Sequence, residues 1–417
     1  MMSKGGVVSF TAAVLSGLYP CSSFAQDKIE TVKEDNIWDL LEARASGDVR
    51  MRYQTLDGDN FSRAGEALTF RFLGALEAKI FDKTYALGEV EVVSAFIDDY
   101  NDGTGGRASY PFIPDPEGVE LNRLQVISEL IPKTRITAGR QKLALDDWRF
   151  IGAFPFRQNS QTIDALRVET KAFGSGILDV AYFNKVRRPL GSDNPNGVFS
   201  GESFYLNYNM ATPLGRLSAF HYAADLETGT DAAGRLNSSS VTTGARILGR
   251  RDWDELSLVW EASYARQGDY ADSPSDYNAD YVLLELAVKP GSFDFRLRGE
   301  LLGSDNGVAV QTPLASLHKF QGFADKFLRT PDDGIRDYSV LARYRFGAMG
   351  PFSNVETFAR HHWFEADTNG RAYGRELDLS IKAKMNTTGF ALEYADYKAE
   401  SFSKDTQALF LTTEISF

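Results

Sequence analysis

The stretch that decides the fold is residues 406–417, TQALFLTTEISF, at the end of the chain. In an extended chain, successive side chains point to opposite faces. One face of this stretch therefore carries Leu409, Leu411, Ile415 and Phe417, with Thr413 among them. This period of two predicts a strand with one apolar face. The aromatic last residue resembles the signal that the barrel-assembly machinery recognises.

The same alternation recurs upstream, so the sequence predicts an all-β fold of about eighteen strands. The first nine are predicted at 47–56, 66–80, 84–97, 119–130, 133–141, 163–171, 176–184, 202–211 and 215–225. The last nine are predicted at 240–249, 253–267, 277–289, 292–302, 336–346, 352–365, 374–385, 389–400 and 406–417. Most are long enough to cross a bilayer when tilted.

The connections alternate in length along the chain. Short ones such as 81–83 and 290–291 are followed by long ones such as 98–118, 142–162 and 303–335. Bacterial membrane barrels join strands by short periplasmic turns and longer extracellular loops. The pattern therefore predicts a transmembrane antiparallel β-barrel. A soluble sandwich or propeller would also give short strands between turns, but it would not require this alternation.

The first residues predict export. Lys4 precedes an apolar run at 7–18 and the small-x-small triplet Ser23-Phe24-Ala25, as in a cleaved signal peptide. A lipoprotein using Cys21 is the alternative, which Pro20 disfavours. We therefore predict a signal peptide at 1–25, a periplasmic arm at 26–46 and a barrel at 47–417, located in the bacterial outer membrane. Its expected surroundings are the lipid bilayer and lipopolysaccharide.

The inward face of the predicted strands is rich in basic residues. Those predicted to line the pore are Arg50, Arg52, Arg71, Arg123, Arg167, Arg296, Arg298, Arg343, Arg345, Lys382 and Lys384. Acids such as Glu89, Glu285 and Asp378 share this face, so one interpretation is that the charges pair and fill the interior. The other is an arginine excess that selects an anionic solute, centred on four guanidinium groups that meet between two neighbouring strands: Arg296, Arg298, Arg343 and Arg345.

The loop at 303–335 is too long for a plain connector, and long ordered loops usually have a function. We predict that it folds into or over the lumen and that residues 147–159 assist it. Its predicted constriction residues are His318, Asp325, Lys326 and Phe327. The alternative is an exposed lid with no part in selection.

Other functional classes are disfavoured. A formal net charge of −12 argues against a nucleic-acid partner. The neighbouring His361 and His362 point to opposite faces of a strand, which disfavours a shared metal. The sequence has no nucleotide-binding loop, nucleophile elbow or zinc-protease motif. We therefore predict no enzyme activity, no metal and no cofactor.

Two loop segments resemble motifs of the alginate-export family of outer-membrane porins: HKFQGFADKFLRTP at 318–331, continued by DDGIRD, and FRQNSQTIDA at 156–165. That resemblance implies an eighteen-stranded monomeric barrel with an arginine-rich pore constricted by loops. Phe323 stands where the family often has tryptophan. The expected function is passive passage of an anionic, alginate-like polysaccharide or acidic sugar. The alternatives are a general or nutrient-uptake porin for small solutes, and a plugged surface receptor or structural barrel.

Overall fold

The computed structural model describes residues 42–58, 60–105, 107–227 and 238–417. The predicted signal peptide and residues 26–41 of the predicted arm lie outside the described residues. The first strand begins at Ala43 and so includes the last residues assigned to that arm.

Eighteen antiparallel strands form one closed sheet, which confirms the predicted fold class. We number the barrel strands β1 to β18. The first nine are β1 Ala43–Gly58, β2 Gly65–Phe81, β3 Thr84–Asp99, β4 Gly118–Ser128, β5 Thr134–Gln141, β6 Thr162–Thr170, β7 Ile177–Arg187, β8 Val198–Thr212 and β9 Gly215–Ala224. The others are β10 Ser240–Trp253, β11 Leu256–Asp269, β12 Asn278–Pro290, β13 Phe293–Leu302, β14 Ile335–Met349, β15 Phe352–Glu365, β16 Ala372–Met385, β17 Thr388–Ala399 and β18 Thr406–Ser416.

The barrel closes where the last strand meets the first. Strand β1 pairs with both β2 and β18, and Arg50 lies opposite Arg71 on one side and Glu414 on the other. Beyond β18, the backbone N–H of Phe417 donates to the carbonyl of Gly47, and the carbonyl of Phe417 accepts from the N–H of Gly47, both at 2.9 Å. Closure leaves no strand edge unpaired, which a barrel in lipid requires.

The two faces of the wall differ sharply in polarity. On β13, the outward Leu297 is 62% exposed, whereas the inward Arg296 and Asp294 are 3% and 0% exposed. The apolar face of each strand therefore faces outward, as in a barrel surrounded by lipid. Aromatic residues such as Trp363 and Phe346 occur on this outward face near the strand ends, where rings favour the membrane interface.

Within the described residues, the model contains no helix with the length and apolar character needed to span a membrane.

The short turns, the start of β1 and the end of β18 gather at one end of the barrel, and the long loops gather at the other. We call these the short-turn end and the long-loop end. Two long loops do not stay outside the barrel. Hydrophobic residues of these loops pack in one buried cluster with inward residues of the wall: Ile151, Phe156, Leu314 and Phe327 with Phe220, Tyr281, Phe364 and Phe410.

Candidate functional site

Two long loops, residues 142–161 and 303–334, meet inside the barrel, and we call them the inner loop pair. The backbone N–H of Gly152 donates to the carbonyl of Leu314 (2.8 Å), and that of Ser316 donates to the carbonyl of Trp148 (3.1 Å). The side-chain amide of Gln161 also donates to the Leu314 carbonyl (2.9 Å). Hydrogen bonds therefore join the two loops into one body.

The inner loop pair holds several residues in an unfavourable backbone conformation. Non-glycine residues with positive φ in these loops are Asp146, Trp148, Phe154, Asn306, Gln321 and Asp325. A bulky residue such as Trp148 adopts this region only when its surroundings impose it. Such strain clusters at functional sites, which makes the inner loop pair the leading candidate for one.

The loop pair is attached to the barrel wall by charged groups. Arg149 Nε lies 3.0 Å from Glu300 of β13, and both side chains are buried. Glu376 of β16 accepts a hydrogen bond from the backbone N–H of Ala324 (2.7 Å). Gly322 has φ +84°, and a Cβ there would collide with the Glu376 carboxylate. This close approach requires glycine.

Four aromatic rings form a row that crosses the lumen, which we call the aromatic column: Phe156, His318, Phe323 and Phe358. The imidazole of His318 is stacked on Phe156 with 3.4 Å between ring centroids and on Phe323 with 5.0 Å. Phe323 then meets the edge of Phe358 of β15 at 6.0 Å. The column therefore links both inner loops to the wall.

A guanidinium group lies at each end of the aromatic column. Arg52 of β1 lies over the Phe156 ring at 4.0 Å, and Arg343 of β14 lies over the Phe358 ring at 5.2 Å. Arg52 donates to the hydroxyl of Thr412 (3.0 Å) and to the Phe156 carbonyl. Among the described residues, neither arginine forms an ion pair with a carboxylate.

Asp325 joins the aromatic column to the other inner loop, residues 142–161. His318 Nδ1 lies 3.0 Å from the Asp325 carboxylate, which is also ion-paired with Arg157. Burial by itself would raise the pKa of Asp325, but the nearby His318 and Arg157 outweigh burial and hold the pKa below its ordinary value. The carboxylate therefore remains charged at neutral pH and links the two loops.

The remaining predicted constriction residues lie beside the column. Phe327 is buried, with its ring 4.6 Å from that of Phe364 and 5.1 Å from that of Phe402, so it belongs to the packing of the loop. Lys326 is half-buried. Burial lowers the pKa of Lys326, and the negative charge of Glu376 opposes this change.

The predicted cluster of four arginines lies on one wall, but most of its charge is compensated. Arg296 is ion-paired with Glu285 and Asp294, each at 2.8 Å. Arg298 lies 3.4 Å from Glu285 and from Glu300. Arg345 lies 3.4 Å from Asp294 and 3.5 Å from Glu356. The expectation of an arginine excess therefore fails for these three residues.

Arg343 differs from its three neighbours. Its side chain is 3% exposed, and it forms no hydrogen bond or ion pair with any residue that the structure describes. Its buried Nε has no partner there. A buried charge without a partner is costly, so this guanidinium is available for an anionic ligand.

A second basic group lies where β1 meets β18. Glu414 lies 2.9 Å from Arg50 and 3.5 Å from Arg71, and Asp48 also pairs with Arg71. Arg50 additionally donates to the carbonyl of Pro155 (2.9 Å), which is part of the inner loop pair. This group therefore holds both the barrel seam and the loop.

Three other predicted pore residues are also placed next to acids. Arg123 is ion-paired with Glu89. Arg167 lies 2.6 Å from Asp179, and Lys382 lies 2.8 Å from Glu393. Lys384 is half-buried near the short-turn end of β16. Pairing across neighbouring strands is thus the rule on this wall.

The alternation of the strands gave no indication of several residues that form or contact the aromatic column. Phe156, Arg157 and Phe323 lie in loops, and only their tertiary contacts bring them to the column. The segment 156–165, singled out as a motif, contains two of them. Phe358 has the inward parity of β15, but an inward phenylalanine by itself predicts only packing.

The described residues contain no group of three or more His, Cys, Asp or Glu side chains placed to hold a metal ion. His362 is buried 2.8 Å from Asp337, whereas His361 faces outward beside Trp363. The two imidazoles thus lie on opposite faces, as their spacing predicts.

Comparison with solved structures finds the same barrel in outer-membrane proteins of Pseudomonas aeruginosa. OpdG has a TM-score of 0.68 at 14% sequence identity and covers 90% of this chain and 99% of its own. OpdO has a TM-score of 0.66 at 14% identity, with 90% and 97% covered. OpdK, solved with vanillate, has a TM-score of 0.65 at 14% identity, with 89% and 98% covered.

At such low identity these similarities show the fold alone. No family model matches the chain, and no curated protein matches it significantly. The resemblance to the alginate-export family therefore stays a prediction.

Proposed function

We propose that this chain is an outer-membrane channel for small carboxylate-bearing solutes, in which the inner loop pair forms the constriction. The observation that carries the proposal is the aromatic column with a carboxylate-free guanidinium at each end. The alternative of a small-solute porin is thus preferred over export of an alginate-like polysaccharide. The fold neighbours support this preference, because one of them was solved with vanillate, a small aromatic carboxylate.

The physical argument concerns what the column offers a solute. A guanidinium binds a carboxylate through two parallel hydrogen bonds. A planar solute can in addition lie against aromatic rings, which prefer offset-stacked or edge contacts. Arg343 and Phe358 supply both kinds of contact side by side. The paired arginines nearby leave little net charge, so each binding step stays weak, as conduction requires.

The placement of the loops also argues for small solutes. Hydrogen bonds, ion pairs and buried apolar contacts hold the inner loop pair in the lumen. A polymer would have to pass between loop residues and wall residues whose positions are fixed. A small solute needs only to exchange between neighbouring contacts.

The test uses the purified full-length protein in planar bilayers and in proteoliposomes. We expect single-channel current with a preference for anions, and faster uptake of benzoate than of an uncharged sugar of similar size. Absence of current would indicate the plugged-barrel alternative. Equal permeability to anions and cations would indicate a general pore, and faster passage of alginate oligomers than of benzoate would support polysaccharide export.

The role of Arg343 is tested with a matched set of substitutions. Arg343→Gln removes the charge and should lower benzoate uptake and anion preference, whereas Arg343→Lys should retain most of the anion preference. Arg266→Gln is the control, because Arg266 is an outward arginine on β11. Equal benzoate uptake by wild type and Arg343→Gln would contradict the assigned role.

A further inference from the structure

We propose that the outer face of the barrel between β12 and β16 binds a phosphorylated glycolipid of the lipid A type. The site lies on the lipid side of the wall, away from the lumen. It depends on the outer-membrane placement in the proposed function but not on which solute the channel carries.

The first observation is an apolar groove of about 520 Å³ on the outward face. Its floor is made of small residues, Ala342 of β14 and Ala359 of β15, which lie opposite each other in the sheet. Larger side chains form its sides: Leu286, Phe295, Leu297, Val340 and Leu377. Such a depression in a lipid-facing surface has the shape and polarity to hold an acyl chain.

The second observation is the row of residues directly above the groove. Tyr338, Trp363 and Arg375 are neighbours on β14, β15 and β16, and all three are outward and exposed. They lie toward the long-loop end, which we assign to the outer leaflet. Tyrosine and tryptophan favour the interface between hydrocarbon and headgroups. The row therefore marks the depth at which a headgroup begins.

Arg375 gives this row its charge. It forms no ion pair or hydrogen bond within the part of the chain that the structure describes. Arginine matches phosphate through two parallel hydrogen bonds, and basic residues at the membrane surface attract anionic headgroups. Lys398 lies opposite Arg375 on β17, but it is already 3.3 Å from Asp396 and 3.4 Å from Asp405. Arg375 is the cation left for a lipid phosphate.

His361 lies between the headgroup row and the apolar groove. It is the neighbour of Leu377 and Val340 in the sheet, one outward position below Trp363. Its Nδ1 is buried and has no hydrogen-bond partner among the described residues. A polar group facing hydrocarbon is costly and usually has a function. An ester, amide or hydroxyl near the start of an acyl chain would lie beside this imidazole at this depth.

These three layers match the order of groups in a phosphorylated lipid, and we choose lipid A because the row lies at the end assigned to the outer leaflet. Phosphate, then ester or hydroxyl groups, then acyl chains follow the membrane normal in lipid A, in the order Arg375, His361 and groove. A second copy of the chain would have to insert an apolar ridge and bring an acid to Arg375. The outer leaflet instead supplies phosphate and acyl chains together.

The experiment measures lipid binding to the intact barrel by native mass spectrometry in detergent, with lipid A, dephosphorylated lipid A or phosphatidylglycerol added. We expect saturable binding of lipid A. Arg375→Gln should weaken it several-fold, and Ala359→Trp, which fills the groove, should weaken it as well. Dephosphorylated lipid A should bind wild type about as weakly as lipid A binds Arg375→Gln.

Two controls match these substitutions on another part of the outer face. Arg266→Gln removes an outward arginine of β11, and Ala262→Trp adds a ring to an outward alanine of the same strand. Both should bind lipid A as wild type does. Unchanged lipid A binding in Arg375→Gln and Ala359→Trp would overturn the site, as would phosphatidylglycerol binding that equals that of lipid A.

Channel measurements separate this site from the proposed function. Arg375→Gln and Ala359→Trp should leave conductance and benzoate uptake unchanged, because both side chains face away from the lumen. Lost lipid binding with normal conductance supports the site. A barrel that binds lipid A with this specificity but passes no current would overturn the channel and leave the lipid site standing.

Discussion

Many side chains in the lumen are both charged and buried, so the role of each one depends on the groups with which it pairs. Burying a charge is tolerated when a counter-charge and hydrogen bonds compensate it. Arg50 and Arg71 share Glu414 in this way, whereas Arg343 has an aromatic contact but no ion pair with a carboxylate among the described residues. Pairing therefore separates arginines with a structural role from arginines that are available to a solute.

Glu414 provides a direct test of this separation. Glu414→Gln leaves the buried Arg50 without an ion-pair partner among the described residues and leaves the buried Arg71 paired with Asp48. Breaking a buried ion pair costs about 3–5 kcal/mol, so we expect the free energy of unfolding to fall by about 3 kcal/mol. The measurement is urea-induced unfolding of the barrel in lipid vesicles.

The matched control is Glu129→Gln. Glu129 lies 3.8 Å from Arg135, and both side chains are about half exposed. Exposed pairs contribute about 0–1 kcal/mol, so the control should unfold almost as wild type. Equal losses for the two variants would refute the argument from burial.

Asp325 gives the inner loop pair a defined dependence on pH. Its folded-state pKa lies below the ordinary value of 3.8. The stabilisation is therefore fully present above about pH 3.8 and is lost as pH falls through the lower folded pKa. Protection of the Phe323 to Lys326 amides against hydrogen exchange, relative to an unstructured chain at the same pH, should stay high from neutral pH down to about pH 4 and fall only in stronger acid.

Asp325→Asn should produce fast exchange in this segment already at neutral pH, because both Arg157 and His318 lose the Asp325 carboxylate. Asp332→Asn is the control, since Asp332 is exposed at the outer end of the same loop. If the Asp325→Asn variant exchanged as slowly as wild type at neutral pH, the carboxylate would not hold the loop.

At the scale of elements, the two inner loops act as one unit. Their backbones are joined at Gly152 and Leu314, and Arg157 and Asp325 pair across them. The loop at 303–334 also has a one-turn 3-10 helix at Leu317–Lys319, where Lys319 donates to the carbonyl of Asp147. Burial lowers the pKa of Lys319 to about 8.

Removing one loop tests whether this unit sets the width of the channel. Deleting residues 307–332 removes His318, Phe323 and Asp325 together, and single-channel conductance should rise with loss of anion preference. Deleting residues 271–275, an exposed part of the β11–β12 loop, should leave conductance unchanged. Unchanged conductance and solute flux after the 307–332 deletion would show that the loop is a lid without a role in selection.

At the scale of the whole molecule, the C-terminal residue closes the barrel. Phe417 pairs with Gly47 through two backbone hydrogen bonds, and its ring lies over Gly47, where a Cβ would come within 2.9 Å of the ring. The ring is 59% exposed on the outer face. We propose that this exposed ring is the assembly signal that the sequence predicts.

We expect Phe417→Ala to lower the fraction of barrel that reaches the outer membrane, because the proposed assembly signal is lost. The folded protein should keep nearly its normal unfolding midpoint, because the backbone bonds to Gly47 persist. Heat-modifiable migration of outer-membrane fractions measures the first quantity. Phe346→Ala, another outward aromatic at the short-turn end, is the control, and an equal loss in both variants would contradict a specific signal.

The alternating pattern determined most of the fold in advance. Side-chain direction has a period of two in any strand, so local sequence shows which residues face inward and where each strand ends within a few residues. Strand β8 begins at Val198 rather than at residue 202, and β10 continues to Trp253. Pairing with a neighbouring strand extends both, and the sequence of one strand does not contain that information.

What the sequence determined by itself, beginning with residues 406–417, was an eighteen-stranded barrel with inward charges. Tertiary structure alone decided which charges remain available, because partners such as Arg50 and Glu414 lie 364 positions apart in the chain. It also decided which contacts hold the two predicted lumen loops in place and that Ala342, Ala359 and Arg375 share one outer surface. Each of these results depends on distances between segments, which no local pattern of residues can specify.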